Sequence, residues 1–585
     1  MASSTWVATT PFEGQKPGTS GLRKKTRVFL QEHYLENFVQ ATFDVVCPAG
    51  KTLVVGGDGR YHNDVAVQTI VRMAKANGVG KIITGVNGIM GTPALSALVR
   101  DRKAFGGIIL TASHNPGGID EDFGIKYNVS NGGPAPSGVT KAIYERTQII
   151  EKYAIDATLN DIDLSAPGTV SSGDAFSVEV VDPTDQYTAL MKEVFDFDAL
   201  RGFLARSDFS FVYDALHGVA GPYAKRIFGK ELGVSAESLR NCDPLPDFGG
   251  HHPDPNLTYA PQLVKTMGLQ RDGTVLPGAE DVPSFGAAAD GDMDRNMVLG
   301  AKFFVTPSDS VAIIAANAKD AIPYFSKRGG VKSLARSMPT SQALDLVAKD
   351  LGVPLFEVPT GWKFFGNLMD SAEVFGQEDY TPLICGEESF GTGSSHIREK
   401  DGVWAVLCWL SILSKRNEST DLGSLVSVGD IVQAHWKKFG RNVYCRYDYE
   451  GVDKVDALKM MARLTGMMEM WKMSGKNPTA LPGGAFTLTK ADEFEYHDPV
   501  DGSVSSNQGW RFIMSDGSRF VFRLSGTGSV GATVRLYLER YIAPDATEDV
   551  LFGNVQSALG TLVATALEVS QIKAYTGRDA PTVIT

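Results

Sequence analysis

Short apolar runs ending at polar, glycine-bearing turns recur along the chain, separated by stretches with helical spacing. Thr52-Leu53-Val54-Val55, then Gly56-Gly57-Asp58-Gly59, reads as a buried strand and a turn. From Asp64 to Ala76, Val65, Ile70, Val71 and Ala74 fall in rough helical register, and Gly78 is placed to stop that helix. Lys81-Ile82-Ile83-Thr84 is a second short strand. Pro93 opens a helix through Val99, because a fixed φ and a missing N–H cost little in a first turn. Ile108-Ile109-Leu110-Thr111 is a third strand. This order of strands and helices predicts a mostly parallel, covered sheet. Residues 131–138, rich in Gly and Pro, read as loop.

The rhythm returns twice. After a polar stretch at 155–185, Asp208 to Tyr213 reads as a strand, and this second unit closes on Ala287-Ala288-Ala289 before Asp290 to Arg295. A third unit offers Ser341 as N-cap of a helix over 342–350, with Gly352 beyond it. It passes through Pro359-Thr360-Gly361-Trp362 and reaches Cys385 to Phe390. A polar run near 415–430 marks a boundary. Beyond it come a Met-rich helical stretch at 456–472, whose Met side chains are expected to fill core, and strands at Arg519–Arg523 and Thr533–Leu538. Those strands flank Ser525-Gly526-Thr527-Gly528-Ser529 and indicate a smaller α+β C-terminal domain.

Length changes the picture first: 585 residues exceed one core, and at ~150 residues per domain about four are expected. A 43% hydrophobic and 21% charged composition is that of a soluble globular chain. A net charge of -12 argues against non-specific binding to nucleic acid or membrane surfaces, although clustered Arg and Lys can reverse the field within one cleft. The five cysteines are scattered with no CxxC pair, so neither a disulfide framework nor a zinc site is expected. Residues 1–17 lack a signal-peptide pattern and read as a loosely held arm. No run nears the ~20 apolar residues of a membrane span, so a cytoplasmic chain is expected.

Six polar stretches carry candidate chemistry. Thr111-Ala112-Ser113-His114-Asn115-Pro116 puts a hydroxyl at the carboxyl end of a strand, where open α/β sheets hold ligands, with His114 beside it as a proton handler. The same six residues also fit an ordinary turn with a capping serine. Asp290, Asp292 and Asp294 alternate, which in an extended or looped backbone sends three hard oxygens to one side, as Mg²⁺ requires. An EF-hand is excluded because position 301 is Ala. Arg295 adds a phosphate partner. Ser525 to Ser529, between Arg523 and Arg535, suits a phosphate cradle or a hairpin tip, and lacks the Walker order. Gly386-Glu387-Glu388-Ser389-Phe390-Gly391 offers acceptors for sugar hydroxyls or a Glu-rich helix start. Gly18-Thr19-Ser20-Gly21-Leu22-Arg23-Lys24-Lys25 is an anion loop or a solvated basic turn, and Arg398-Glu399-Lys400-Asp401-Gly402 also fits plain surface charge.

Taken together, these motifs resemble the α-D-phosphohexomutases, in family order and over nearly the whole chain. The long form from Gly386 through Ile397-Arg398-Glu399-Lys400-Asp401-Gly402 is similar to the glucose-specific branch. The resemblance implies three related mixed α/β domains (1–200, 201–306 and 307–425) and a smaller α+β domain (426–585) around one central cleft. It implies that Ser113 is the phosphorylated residue, with Mg²⁺ between it and Asp290, Asp292 and Asp294, and Arg295 facing the phosphoryl group. His114 and Lys126 match positions at the reacting centre, and either of them or another group is the base. Thr360, Gly361, Glu387 and Ser389 match sugar contacts. Ser525, Gly526, Thr527 and Arg535 match the site for the non-reacting phosphate, with Arg23 and Lys400 lining the cleft.

The implied activity interconverts glucose 1-phosphate and glucose 6-phosphate through glucose 1,6-bisphosphate, with closure of the C-terminal domain excluding water. Alternatives are another phosphohexose mutase, a glucose 1,6-bisphosphate synthase, or a secretion-associated phosphoprotein of the parafusin kind. The expected partners are sugar phosphates, with no nucleic acid and no transmembrane segment. A monomer or dimer and a peripheral association with vesicles stay open.

Overall fold

A computed structural model describes residues 5–18, 20–173, 175–475, 479–525 and 531–585. The first unit holds a seven-stranded sheet in the order Leu22–Lys25, Asp122–Val129, Gly106–Leu110, Thr52–Gly57, Lys81–Ile89, Ser177–Val181 and Gly168–Ser171. The inner four strands run parallel, and their apolar runs are buried on both faces by helices such as Asn63–Ala76 and Thr92–Asp101. The outer three are antiparallel, so the sheet is mixed rather than mostly parallel. Two of the seven strands come from the stretch 155–185, whose polarity hides them because Gly168–Ser171 is exposed.

One topology recurs. In the second unit Phe211–Asp214 lies between Leu239–Arg240 and Phe285–Ala289, parallel to both, and Asn296–Gly300 returns antiparallel. In the third, Ser333–Ser337 lies between Leu355–Val358 and Leu383–Gly386, parallel to both, and Thr392–Ser394 returns antiparallel. The first unit repeats this with Thr52–Gly57 at the centre and Asp122–Val129 returning. In all three, the polar loop singled out in the sequence joins the third strand to its antiparallel return. Equivalent loops therefore leave equivalent strand ends.

The fourth unit is built on a seven-stranded antiparallel sheet, including Arg441–Val452, Trp510–Met514, Arg519–Ser525 and Ala532–Ile542, packed against Lys454–Ser474 and Val555–Ser570. It grips the third unit at Ser337 to Gln342. Arg519 donates to the carbonyls of Met338 and Thr340, Tyr444 Oη to the Pro339 carbonyl at 2.9 Å, and the Gln342 N–H to Glu539 Oε1 at 2.7 Å. Toward the second unit it leaves a crevice of about 930 Å³ lined by Arg271, Lys302, Phe304, Arg441, Tyr447 and Leu559.

Several local expectations change. The N-terminal arm is not loose: Thr5–Ala8 pairs with Lys152–Ile155, and Gln15 is buried with its amide on the Tyr34 carbonyl at 2.7 Å. The loop at 131–138 is shorter, because Ser137–Thr147 is a helix. Gln342, not Ser341, is the N-cap of Ala343–Leu351, although Ser341 Oγ still accepts the Ala343 N–H at 3.3 Å. On Lys454–Ser474 the methionines divide: Met460, Met461 and Met468 are core, whereas Met470 and Met473 are exposed. No described helix is long and apolar enough to cross a membrane.

Candidate active site

The first three loops converge. Ser113 lies at the carboxyl end of Gly106–Leu110 and is buried, and its Oγ donates to Asp290 Oδ2 at 2.8 Å across 177 residues of sequence. His114 Nδ1 stands 3.4 Å from the same Oγ. Asp290, Asp292 and Asp294 present carboxylate oxygens within 4.8 Å of one another, all buried. Asp290 Oδ1 fixes the turn by accepting the N–H groups of Asp294 and Arg295 at 2.9 Å each. Thr92 Oγ1 donates to Asp292 Oδ2 at 2.7 Å, and Lys400 Nζ lies 3.1 Å from Asp294 Oδ2. Among the described residues, Asp292 Oδ1 and Asp294 Oδ1 are buried without a hydrogen-bond partner.

Burial and the neighbouring charges of Asp292 and Asp294 push the Asp290 carboxyl well above its usual range. Three crowded carboxylates with two unsatisfied oxygens form a donor set that a hard divalent cation fits.

The surroundings are cationic. Burial, then the charges of Arg295, Arg23, Lys400 and Arg535, hold the His114 imidazole well below its ordinary pKa, so it is neutral. Among the described residues, the Nε atoms of Arg23, Arg295 and Arg535 are buried without hydrogen-bond partners. Arg23 reaches the centre from the strand Leu22–Lys25, while Lys25 pairs with Glu121 and Asp122 at its rim. The anion-loop alternative thus gains Arg23 but not Lys25; Thr19 lies outside the described residues.

Lys126, from the antiparallel strand Asp122–Val129, donates to Glu399 Oε1 at 2.8 Å, as does Asn128 Nδ2. Glu399 is 1% exposed, so the Arg398–Gly402 run is not surface charge. Its burial raises the Glu399 carboxyl above its ordinary range in spite of Lys126. Glu387 Oε1 accepts the N–H of Gly361, which sits at φ +131°, and burial pushes the Glu387 carboxyl up. Among the described residues Thr360 Oγ1 is buried without a hydrogen-bond partner, and Ser389 is half-buried on the turn beside Phe390. The loops are stitched to each other: Arg295 bridges Gly391, and the Gly402 N–H donates to the Met293 carbonyl at 3.0 Å.

From the fourth unit, Arg535 lies 3.7 Å from Asp448, which also pairs with Arg446 at 3.0 Å. Ser525 ends the strand Arg519–Ser525. Gly526 and Thr527 lie outside the described residues.

Sequence reasoning missed Thr92, Asp254, Glu399 and Arg446. Asp254 faces Arg295 at 3.5 Å, and the Arg446 charge bears on both. It also read Asp58 as turn and passed over Arg60. Both are buried, and Arg60 Nη2 donates to the Ser113 carbonyl at 2.9 Å. The available signal was an acid framed by glycines at a strand's carboxyl end.

Family models described as phosphoglucomutase/phosphomannomutase α/β/α domains I, II and III match residues 14–154, 185–302 and 307–439. One described as the phosphoglucomutase-1 C-terminal domain matches 441–582. The chain is 57% identical over 593 aligned positions to cytoplasmic phosphoglucomutase of Solanum tuberosum, and 56% identical over 592 to that of Pisum sativum, covering 99% of each chain. Among solved structures, the open form of the exocytosis-sensitive phosphoprotein pp63/parafusin (phosphoglucomutase) from Paramecium superposes with a TM-score of 0.86 at 49% identity, covering 100% of this chain and 99% of that one. With these matches spanning its whole length, the chain belongs to the phosphoglucomutase/phosphomannomutase family, the α-D-phosphohexomutases.

Proposed function

We propose that this chain is a cytoplasmic phosphoglucomutase that interconverts glucose 1-phosphate and glucose 6-phosphate through a phosphorylated Ser113. The observation that carries the reading is the 2.8 Å contact between Ser113 Oγ and Asp290, which sets the hydroxyl against the aspartate trio inside a ring of arginines and lysines. Relatives that share more than half its residues bear the same name.

In this reading Asp290, Asp292 and Asp294 hold Mg²⁺, which when bound offsets negative charge on the transferring phosphoryl group. Arg295 and Lys400 face the same group as cations. A loose phosphoryl-transfer transition state asks the protein for position and charge rather than covalent help. The neutral imidazole of His114 lies within reach of Ser113 Oγ and can carry the hydroxyl proton between serine and sugar. Lys126 is tied to Glu399 and serves as a fixed cation beside Asp292. Glu387, Thr360, Gly361 and Ser389 take the sugar hydroxyls. Arg535, Ser525, Gly526 and Thr527 hold the phosphate that is not reacting, and Arg23 lines the cleft beside the aspartate trio. Glucose 1,6-bisphosphate is the intermediate, reorienting between two half-reactions that each move one phosphoryl group.

The test is Ser113→Ala. Conversion of glucose 1-phosphate should fall below detection, and mixing with glucose 1,6-bisphosphate should add no phosphate mass to the protein. Turnover that survives the substitution would remove Ser113 from its role.

A further inference from the structure

Ser113 occupies the left-handed region at φ +54°, a conformation that a side chain disfavours and that persists only where the surroundings impose it. Its backbone is tied to a buried ion pair one strand away. Arg60 Nε lies 3.0 Å from each carboxylate oxygen of Asp58, and its Nη2 lies 2.9 Å from Oδ2. The same Nη2 donates to the Ser113 carbonyl at 2.9 Å, and Nη1 to the Asp122 carbonyl at 2.7 Å. Thr111 Oγ1 accepts the Ser113 N–H at 2.7 Å and donates its own O–H to Asp58 Oδ2 at 2.6 Å. Both backbone polar groups of Ser113 thus end on one ion pair, the carbonyl directly and the N–H through a single hydroxyl.

The pair is costly to place there. Asp58 is 0% and Arg60 1% exposed, and apolar residues of similar volume commonly match or exceed a buried pair in stability. A planar guanidinium does what an apolar side chain cannot: its fork fixes an angle between two acceptors. Phe248, from the second unit, lies against that guanidinium at 5.2 Å, so the unit carrying the aspartate trio also bears on the group that orients the serine.

We propose that Asp58, Arg60 and Thr111 are positioning residues that hold Ser113 in its left-handed backbone geometry, so that Oγ faces the aspartate trio. The inference rests on the reading of Ser113 as the phosphoryl carrier. None of the three touches the reacting atoms through its own side chain in that reading; each acts through the serine backbone.

The test uses the full chain with Mg²⁺ and glucose 1,6-bisphosphate, comparing Thr111→Val, Thr111→Ser and Arg60→Lys. Val keeps the shape of Thr and removes the hydroxyl, Ser keeps the hydroxyl, and Lys keeps the charge without the fork. A misaligned nucleophile costs about 100-fold, so kcat should fall by that order in Thr111→Val and Arg60→Lys. KM for glucose 1-phosphate should stay within about threefold, and phosphoryl uptake by Ser113, read by intact mass, should slow in step with kcat. Thr111→Ser should recover kcat to within about threefold of the parent.

If folded Thr111→Val and Arg60→Lys keep their kcat while only melting earlier, the network is structural and the inference fails. It fails equally if Thr111→Ser falls as far as Thr111→Val. Arg60→Lys retains the buried cation and reads the fork alone should Thr111→Val not fold. Persistent turnover in Ser113→Ala is a separate result, and it would overturn the underlying reading rather than the positioning alone.

Discussion

Glu399 and His435 show how burial decides what a titratable side chain does. Glu399 neutralises a lysine in the floor of the cleft, and removing one partner of a buried pair strands the other. Glu399→Ala should therefore lower the melting temperature more than Glu399→Gln, which can still accept the Lys126 and Asn128 hydrogen bonds. Scanning calorimetry of both variants reads this, and equal melting would mean that the hydrogen bonds glutamine keeps contribute nothing and that the lost charge accounts for the whole effect. His435 sits on Val428–Phe439, its ring tilted 42° against Phe439 at 4.7 Å, with its pKa lowered to about 4 by burial and then Lys438. A base whose folded pKa is depressed binds its proton more readily when unfolded. Stability is thus full above the unfolded value of 6.5 and is lost as pH falls toward about 4. At 1.4 kcal/mol per unit the effect is about 3 kcal/mol as an upper bound. His435→Gln should flatten the decline in melting temperature between pH 6.5 and 4, and an unchanged acid limb would assign that decline to other groups. The sequence made the aspartate trio legible because its alternation is local. It hid Arg60 and Glu399 because a charge run looks the same whether solvated or enclosed by another unit.

At the scale of elements, the legible features were strands ending in polar turns, and the recurrence of that pattern proved to be one topology used three times. Apolar periodicity reports a strand buried on both faces, so Gly106–Leu110 was visible and the exposed Gly168–Ser171 was not. Element ends were less legible: Ala343–Leu351 and Ser137–Thr147 both start at N-caps that make no side-chain capping hydrogen bond, so no capping residue marks them. The interlock between loops had no local sign at all. Gly402 opens the helix Gly402–Arg416 directly against the turn that carries the aspartate trio, and a Cβ on it would lie 2.1 Å from the Arg295 carbonyl oxygen. Backbone cannot yield there as a flexible side chain would. Gly402→Ala should displace the turn that carries Asp290 to Arg295, raising the Mg²⁺ concentration for half-maximal activity about tenfold or more, by analogy with loss of groups that orient metal ligands. A Mg²⁺ titration of initial rates checks this, and an unshifted midpoint would show that the turn is set from its own unit.

For the whole molecule, the order of four units could be read from recurring loops, but the joints between them could not. Glu357 of the third unit meets Arg336 at 3.0 Å and Arg511 of the fourth at 2.7 Å, a partner 154 residues away. Arg519 approaches the same carboxylate at 3.7 Å. No spacing rule reports such a contact. Glu357→Ala would remove the carboxylate that Arg336, Arg511 and Arg519 share across the two units, leaving each with its other partner (Asp345, Asp492 and Glu539), and loosen the seat of the fourth unit. Hydrogen exchange should speed up at Arg441–Val452 and Arg519–Ser525, and KM for glucose 1-phosphate should rise more than kcat falls. Undiminished protection there would mean that the backbone grip at Ser337 to Gln342 suffices alone.

The fourth unit is seated firmly on one neighbour and stands off from the other across the 930 Å³ crevice, which at ~30 Å³ per molecule has room for about thirty waters. Any swing of that unit toward the second would have to drain them. Catalysis by such a swing would then respond to osmotic stress: an excluded solute such as sucrose would favour the drained arrangement and shift the balance between capturing a sugar phosphate and letting it go.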